Sequence, residues 1–148
     1  MMKKPKNEMK LQIYSRSVNE SYARVAVAAF VAQLDPTVDE IADVKTAVSE
    51  AVTNSIVHAY KNTIGIIYIT TRIYEGGRVT IVIRDKGCGI EDVSKAMEPL
   101  FTTSPSGERA GLGFTVMQSF MDKLRVKSRV GFGTTVQMER QLGKIQKQ

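Results

Sequence analysis

The chain has 148 residues, enough for one domain with one core, and 43% of them are hydrophobic, which excludes a disordered chain. A single cysteine, Cys88, excludes an internal disulfide framework. The net charge of +6 sits largely at the two ends, and without a helix-turn-helix pattern, zinc spacing or arginine–aromatic stripe it does not point to nucleic acid as a partner.

Residues 1–9 and 141–148 are expected to be flexible tails on a single domain spanning 1–148. The basic start has no apolar stretch after it, and no apolar run is long enough to cross a bilayer. The expectation is a cytoplasmic protein with no membrane partner. From Lys10 to Ser15 the pattern alternates, with Leu11 and Ile13 on one face, which predicts a short strand. Ser17-x-x-Glu20 reads as a capping box opening a helix to Leu34, where Asp35-Pro36 breaks it. Thr37-x-x-Glu40 is a second capping box and opens the longest helix, to about Tyr60.

Residues 65–74 are rich in Ile, Tyr and Thr, and residues 78–85 alternate with Val79, Ile81 and Ile83 on one face. With Glu75-Gly76-Gly77 between them they predict a hairpin. A Gly-rich turn follows Asp85, then a short helical stretch near 92–97. Residues 99–110, with Pro, Ser, Thr and Gly, read as a mobile loop, and a helix is predicted over 111–122. A second hairpin, 124–130 and 134–140 around Gly131-Phe132-Gly133, closes the chain. The order predicts an α+β, two-layer sandwich with helices on one face of a mainly antiparallel sheet.

Three elements carry candidate chemistry. On the long helix Thr46, Glu50, Asn54 and His58 form an i, i+4 stripe on an otherwise apolar helix. A buried helix tolerates Glu and Asn only with partners, although the stripe reads equally well as the wet face. Asp85-Lys86-Gly87-Cys88-Gly89 places a carboxylate at a strand end, where it can accept from an exocyclic amine; Asp-x-Gly is also an ordinary turn sequence. Gly87 and Gly89 permit positive φ and close approach of a ligand. Gly107-Glu108-Arg109-Ala110-Gly111-Leu112-Gly113 precedes a helix whose amides suit phosphate, with Arg109 adding a charge-assisted contact. It is equally a common Gly-rich cap, and it lacks the Lys-Ser/Thr pair of a Walker loop.

In that order and spacing, the three elements resemble the ATP-binding family shared by gyrase B, the Hsp90 chaperone, histidine kinases and MutL, over roughly residues 40–137. The resemblance implies a Bergerat-type ATP-binding fold. Asn54 would take Mg²⁺, Asp85 would read the adenine amine, and Gly111 and Gly113 would hold phosphates. A closer likeness covers nearly the whole chain. Ser21-Tyr22-Ala23-Arg24-Val25, Ser49-Glu50-Ala51-Val52-Thr53-Asn54, Pro99-Leu100-Phe101-Thr102-Thr103 and Gly111-x-Gly113-Phe114-Thr115 resemble the sporulation anti-sigma F factors.

The resemblance implies an ATP-bound homodimer that captures a sporulation sigma factor. An anti-anti-sigma protein would release the sigma factor and be phosphorylated on a serine. The implied nucleotide contacts are Asn54, Asp85, Gly87, Gly89, Thr102, Thr103, Gly111, Gly113 and Thr134, and Arg24 would meet the protein partners. Glu50, one turn before Asn54, is the expected general base, with Arg109 assisting. The loop at 98–110 is expected to close over ATP. A histidine kinase needs a phosphoacceptor on a separate helix, and the only histidine, His58, lies in the ATP-site helix. An ATP-gated binding module without turnover would need Asn54 but no base. A related anti-sigma kinase of a stress-response switch remains the alternative within the family.

Overall fold

Alternation of apolar and polar residues at period two produces five strands, β1 (Asn7–Tyr14), β2 (Ile66–Ile73), β3 (Arg78–Asp85), β4 (Lys123–Arg129) and β5 (Gly133–Gln141). The computed structural model describes residues 3–98 and 113–143. The strands form one sheet in the order β1-β2-β3-β5-β4, with each neighbouring pair antiparallel. The register aligns Leu11, Ile69, Ile83, Val136 and Val126 in a row across the sheet. A one-residue slip would turn each of these toward water, so burial of this face fixes the pairing.

The helices lie on that apolar face. α1 (Val18–Val31) continues into a 3₁₀ turn, Ala32–Leu34; then come α2 (Val38–Thr53), α3 (Val93–Ala96) and α4 (Phe114–Phe120). α2 is central, packed between α1 and α4. It buries Val44, Ala47, Val48, Ala51 and Val52. Each buried Val contributes roughly 1.5–3 kcal/mol relative to exposure. The architecture is the expected two-layer α+β sandwich.

Several local expectations change. β1 begins at Asn7, pairing with Ile73, so residues 7–9 belong to the sheet rather than to a tail. Gln141 ends β5 and Leu142 is 1% exposed, so the fold also extends past 140. The Thr37–Glu40 capping box forms in both directions, at 3.1 Å and 2.9 Å. The Ser17–Glu20 box does not: Ser17 adopts a helical φ of −59° and ψ of −31°, and its side chain caps nothing. Glu20 turns instead toward Arg24, one turn on, at 3.7 Å. The predicted lid, 98–110, and the start of the 111–122 helix lie almost wholly outside the described residues.

The long helix does not run as one regular helix to Tyr60. From Asn54 to Ala59 it widens into a π-helical turn, closed by Tyr60 N–H donating to the Ser55 carbonyl, five residues back, at 3.0 Å. Such turns re-aim side chains within a helix and concentrate at functional sites.

Candidate functional site

The site begins with Asp85. Alternation along β3 puts Asp85 on the same side as Ile81 and Ile83, facing the helices, and only 5% of it is exposed. A carboxylate at that depth needs partners. Its Oδ1 accepts from the backbone N–H of Gly87 (3.0 Å) and of Thr134 (3.2 Å), and its Oδ2 accepts from the Ser55 hydroxyl at 3.0 Å. Ser55 is 2% exposed and sits within the π turn, which points it at β3.

The turn after Asp85 packs directly on the π turn. Cys88 N–H donates to the Ala59 carbonyl at 3.1 Å. A side chain at Gly87 would collide with that same Ala59 backbone, and one at Gly89, which has a φ of 82°, would collide with Arg129. The glycines are therefore required by close backbone packing, and only Gly89 of the two uses positive φ. The Tyr60 hydroxyl holds the turn from below. It donates to the Ile66 carbonyl and accepts from Lys86 N–H, each at 2.7 Å. Burial pushes the Tyr60 hydroxyl above its ordinary value.

These contacts frame a cleft between the helix layer and one end of the sheet. Its apolar walls are Ala51, Ile90, Phe114 and Val136, and its polar groups include Asn54, Ser55, His58, Asp85 and Thr134. Burial lowers the His58 pKa from 6.5, and Lys61 nearby lowers it further. His58 is accordingly a neutral donor–acceptor at physiological pH. Ser128 braces the far wall: its hydroxyl accepts from Ile90 N–H at 2.7 Å and lies 2.7 Å from the Thr134 hydroxyl.

Of the sequence-predicted site residues, Asn54, Asp85, Gly89 and Thr134 line this one cleft. Gly87 stands behind it. Gly113 opens α4 with a φ of 71°, directly before Phe114 of the cleft wall. Glu50 lies one turn before Asn54 on α2, half-buried and outside the lining. Arg24 lies on α1, away from the cleft. Thr102, Thr103, Arg109 and Gly111 lie outside the described residues. Sequence reasoning missed Ser55, Tyr60 and Ser128. Ser55 carried a signal, a hydroxyl next to Asn54 on an apolar helix, whereas its partner is 30 residues away.

Among the described residues no three His, Cys, Asp or Glu side chains cluster to hold a metal. Mg²⁺ is commonly held by one or two protein oxygens together with the phosphates of a nucleotide. Asn54, lining the cleft, has the side-chain oxygen for it.

A sheet backed by helices on one face, with a buried carboxylate and an Asn-bearing helix around one cleft, defines a histidine kinase-like ATPase domain. The sequence model of that family matches residues 15–140. Solved structures share the fold at low identity. The RsbU and RsbW domains of a Mycobacterium tuberculosis protein superpose with a TM-score of 0.68 at 18% identity, covering 93% of this chain and 33% of that one. The catalytic domain of the histidine kinase ThkA superposes with a TM-score of 0.55 at 16% identity, covering 90% and 96%.

Sequence relatives are much nearer. The anti-sigma F factor of Caldanaerobacter subterraneus subsp. tengcongensis is 61% identical over 138 residues, 93% of this chain and 96% of its own. That of Priestia megaterium is 52% identical, over 93% and 94%. The chain belongs to the anti-sigma F factors within the histidine kinase-like ATPase family.

Proposed function

We propose that the chain is an ATP-dependent anti-sigma factor that holds a sporulation sigma factor inactive and phosphorylates a serine of its anti-anti-sigma antagonist. The observation that carries the nucleotide part is the Asp85 carboxylate, fixed by Gly87, Thr134 and Ser55 at the wall of an apolar cleft. Ser55 occupies one acceptor position of Oδ2, and a carboxylate oxygen has a second for the exocyclic amine of adenine. Ala51, Ile90, Phe114 and Val136 suit the faces of the base.

Asn54 would hold Mg²⁺ together with the nucleotide phosphates, and Gly111, Gly113, Thr102, Thr103 and Arg109 would contact the phosphates. The ion supplies charge neutralisation at the transferring phosphoryl group. Glu50 takes the proton from the partner serine hydroxyl as that oxygen attacks the γ-phosphorus, and ADP leaves. The protein works in the cytoplasm as a homodimer.

Arg24 is the proposed contact for both protein partners. Its Nε is shielded from solvent and reaches the Glu20 carboxylate only at ion-pair distance, 3.7 Å, while Nη2 donates to the Ser21 hydroxyl at 3.2 Å. Elsewhere on α1, on a different side of the helix from Arg24, Val18, Tyr22 and Val25 are exposed. The planar fork of Arg24 suits bidentate pairing with a partner carboxylate.

The test is incubation with radiolabelled ATP, Mg²⁺ and a candidate anti-anti-sigma protein. Label on a partner serine is expected, reduced about 10²–10⁴-fold in Glu50→Gln while nucleotide binding persists. Binding without any transfer would leave an ATP-gated binding module.

A further inference from the structure

The sheet face turned away from the helices is uncovered among the described residues, and its charge is uneven. Strand alternation sends Arg72, Arg78, Arg84, Lys10 and all four of Lys123, Arg125, Lys127 and Arg129 to this side. Arg72 pairs with Glu8 at 2.6 Å and Arg78 with Glu139 at 3.5 Å. The others have no acidic partner among the described residues.

Four cations converge at one end. Arg84, Lys86, Lys127 and Arg129, with Phe132, line an open groove over the ends of β3, β4 and β5. The register sets Arg84 and Lys127 on either side of Thr135 in one row. All four cations are exposed, and Phe132 is 64% exposed. Charged edge strands ordinarily serve to block stray pairing. That function asks for a few scattered charges, not a groove lined by four cations of one sign.

We propose that this groove docks an acidic, extended segment of a protein partner, with carboxylates against Arg84, Lys86, Lys127 and Arg129. The aromatic rings favour a carboxylate partner over nucleic acid. Arg84 lies over the Tyr68 ring at 4.4 Å, with Lys86 at 5.2 Å, and Arg129 lies over Phe132 at 4.3 Å. Each ring beside the groove thus carries a cation on one face, which takes that face from any base. A guanidinium stacked flat on a ring keeps its N–H edge for bidentate pairing with a carboxylate. The groove adjoins the nucleotide cleft, with Asp85 and Thr134 in the wall between them, but its four cations take no part in that cleft and lie away from the Arg24 face of α1.

The experiment is fluorescence anisotropy with a fluorescein-labelled decapeptide of alternating Glu and Thr, at about 50 mM and about 300 mM salt. Saturable binding is expected, weakened at the higher salt. Lys127→Glu/Arg129→Glu should raise Kd at least tenfold. Lys10→Glu/Lys123→Glu, with the same change in net charge on the same face, should raise it less than threefold. Lys127→Ala/Arg129→Ala provides a milder change at the same sites, and circular dichroism checks that each variant is folded. No saturable binding, equal losses in the two charge-reversed pairs, or tighter binding of a single-stranded oligonucleotide of equal charge would each overturn the proposal.

Discussion

Asp85 has three fixed hydrogen bonds, and a single-atom change separates its anchors from its ligand. Ser55→Ala removes one buried hydroxyl and leaves both backbone donors in place. We expect a loss of about 1 kcal/mol in unfolding free energy, read by urea titration, and weaker ATP binding by calorimetry. Asn54→Ala should abolish Mg·ATP binding in the same calorimetric titration, because nothing else among the cleft's described side chains offers an amide oxygen. His58 gives a pH dependence. Its folded pKa lies below the ordinary 6.5, so the unfolded chain binds the extra proton first. The stabilisation it provides is full above about pH 6.5 and is lost as pH falls through the folded value. Thermal midpoints measured from pH 7.5 downward should therefore drop more for the parent chain than for His58→Gln. At this scale the sequence was readable where one side chain in an odd place announced itself, as with Asn54 and Asp85. It was unreadable where the meaning lay in a pairing across space, as with Ser55 and Asp85 or Tyr60 and Lys86.

α2 shows what local signals can and cannot define. Thr37 and Glu40 cap it reciprocally, as their spacing predicted. Thr37→Ala should cost about 1 kcal/mol, lowering the melting temperature while leaving the distant Asn54 cleft, and ATP affinity, unchanged. The same spacing at Ser17 and Glu20 carries no cap, because Ser17 is already helical. Ser17→Ala should accordingly change stability by less than about 0.5 kcal/mol in the same melt. The two substitutions together test whether the difference in geometry is real. The other end of α2 was hidden. Asn54 to Ala59 keeps a regular helical spacing of side chains in the sequence, and nothing in it marks the extra residue in the turn. The widening is favoured by contacts with distant strands: Ser55 bonds Asp85, and Ala59 receives Cys88 N–H.

At the level of the whole molecule, the hairpins and the layer order were legible because each follows from period-two alternation and turn residues close in sequence. The Arg24 partner surface was suggested only by family likeness, and partner binding is its test. Arg24→Ala should weaken both protein partners roughly thirtyfold, or ~2 kcal/mol, with ATP affinity intact. Pull-down titration of each partner with ATP present measures it, and unchanged binding of both would reduce Arg24 to a surface charge. The sheet also contains a folding order. β2 and β3 pair across a short turn, Ile73 opposite Val79, as do β4 and β5, Arg129 opposite Gly133. β1 instead meets β2 only after α1 and α2 have been threaded between them: the pair that closes the loop, Tyr14 with Ile66, is separated by 66 − 14 = 52 residues. Closing that loop carries the larger entropic cost and brings back only one edge's worth of hydrogen bonds. β1 is thus the strand to arrive last and leave first. In hydrogen exchange its amides should equilibrate well before those of β3, so that the N-terminal edge opens and closes many times within one lifetime of the folded core.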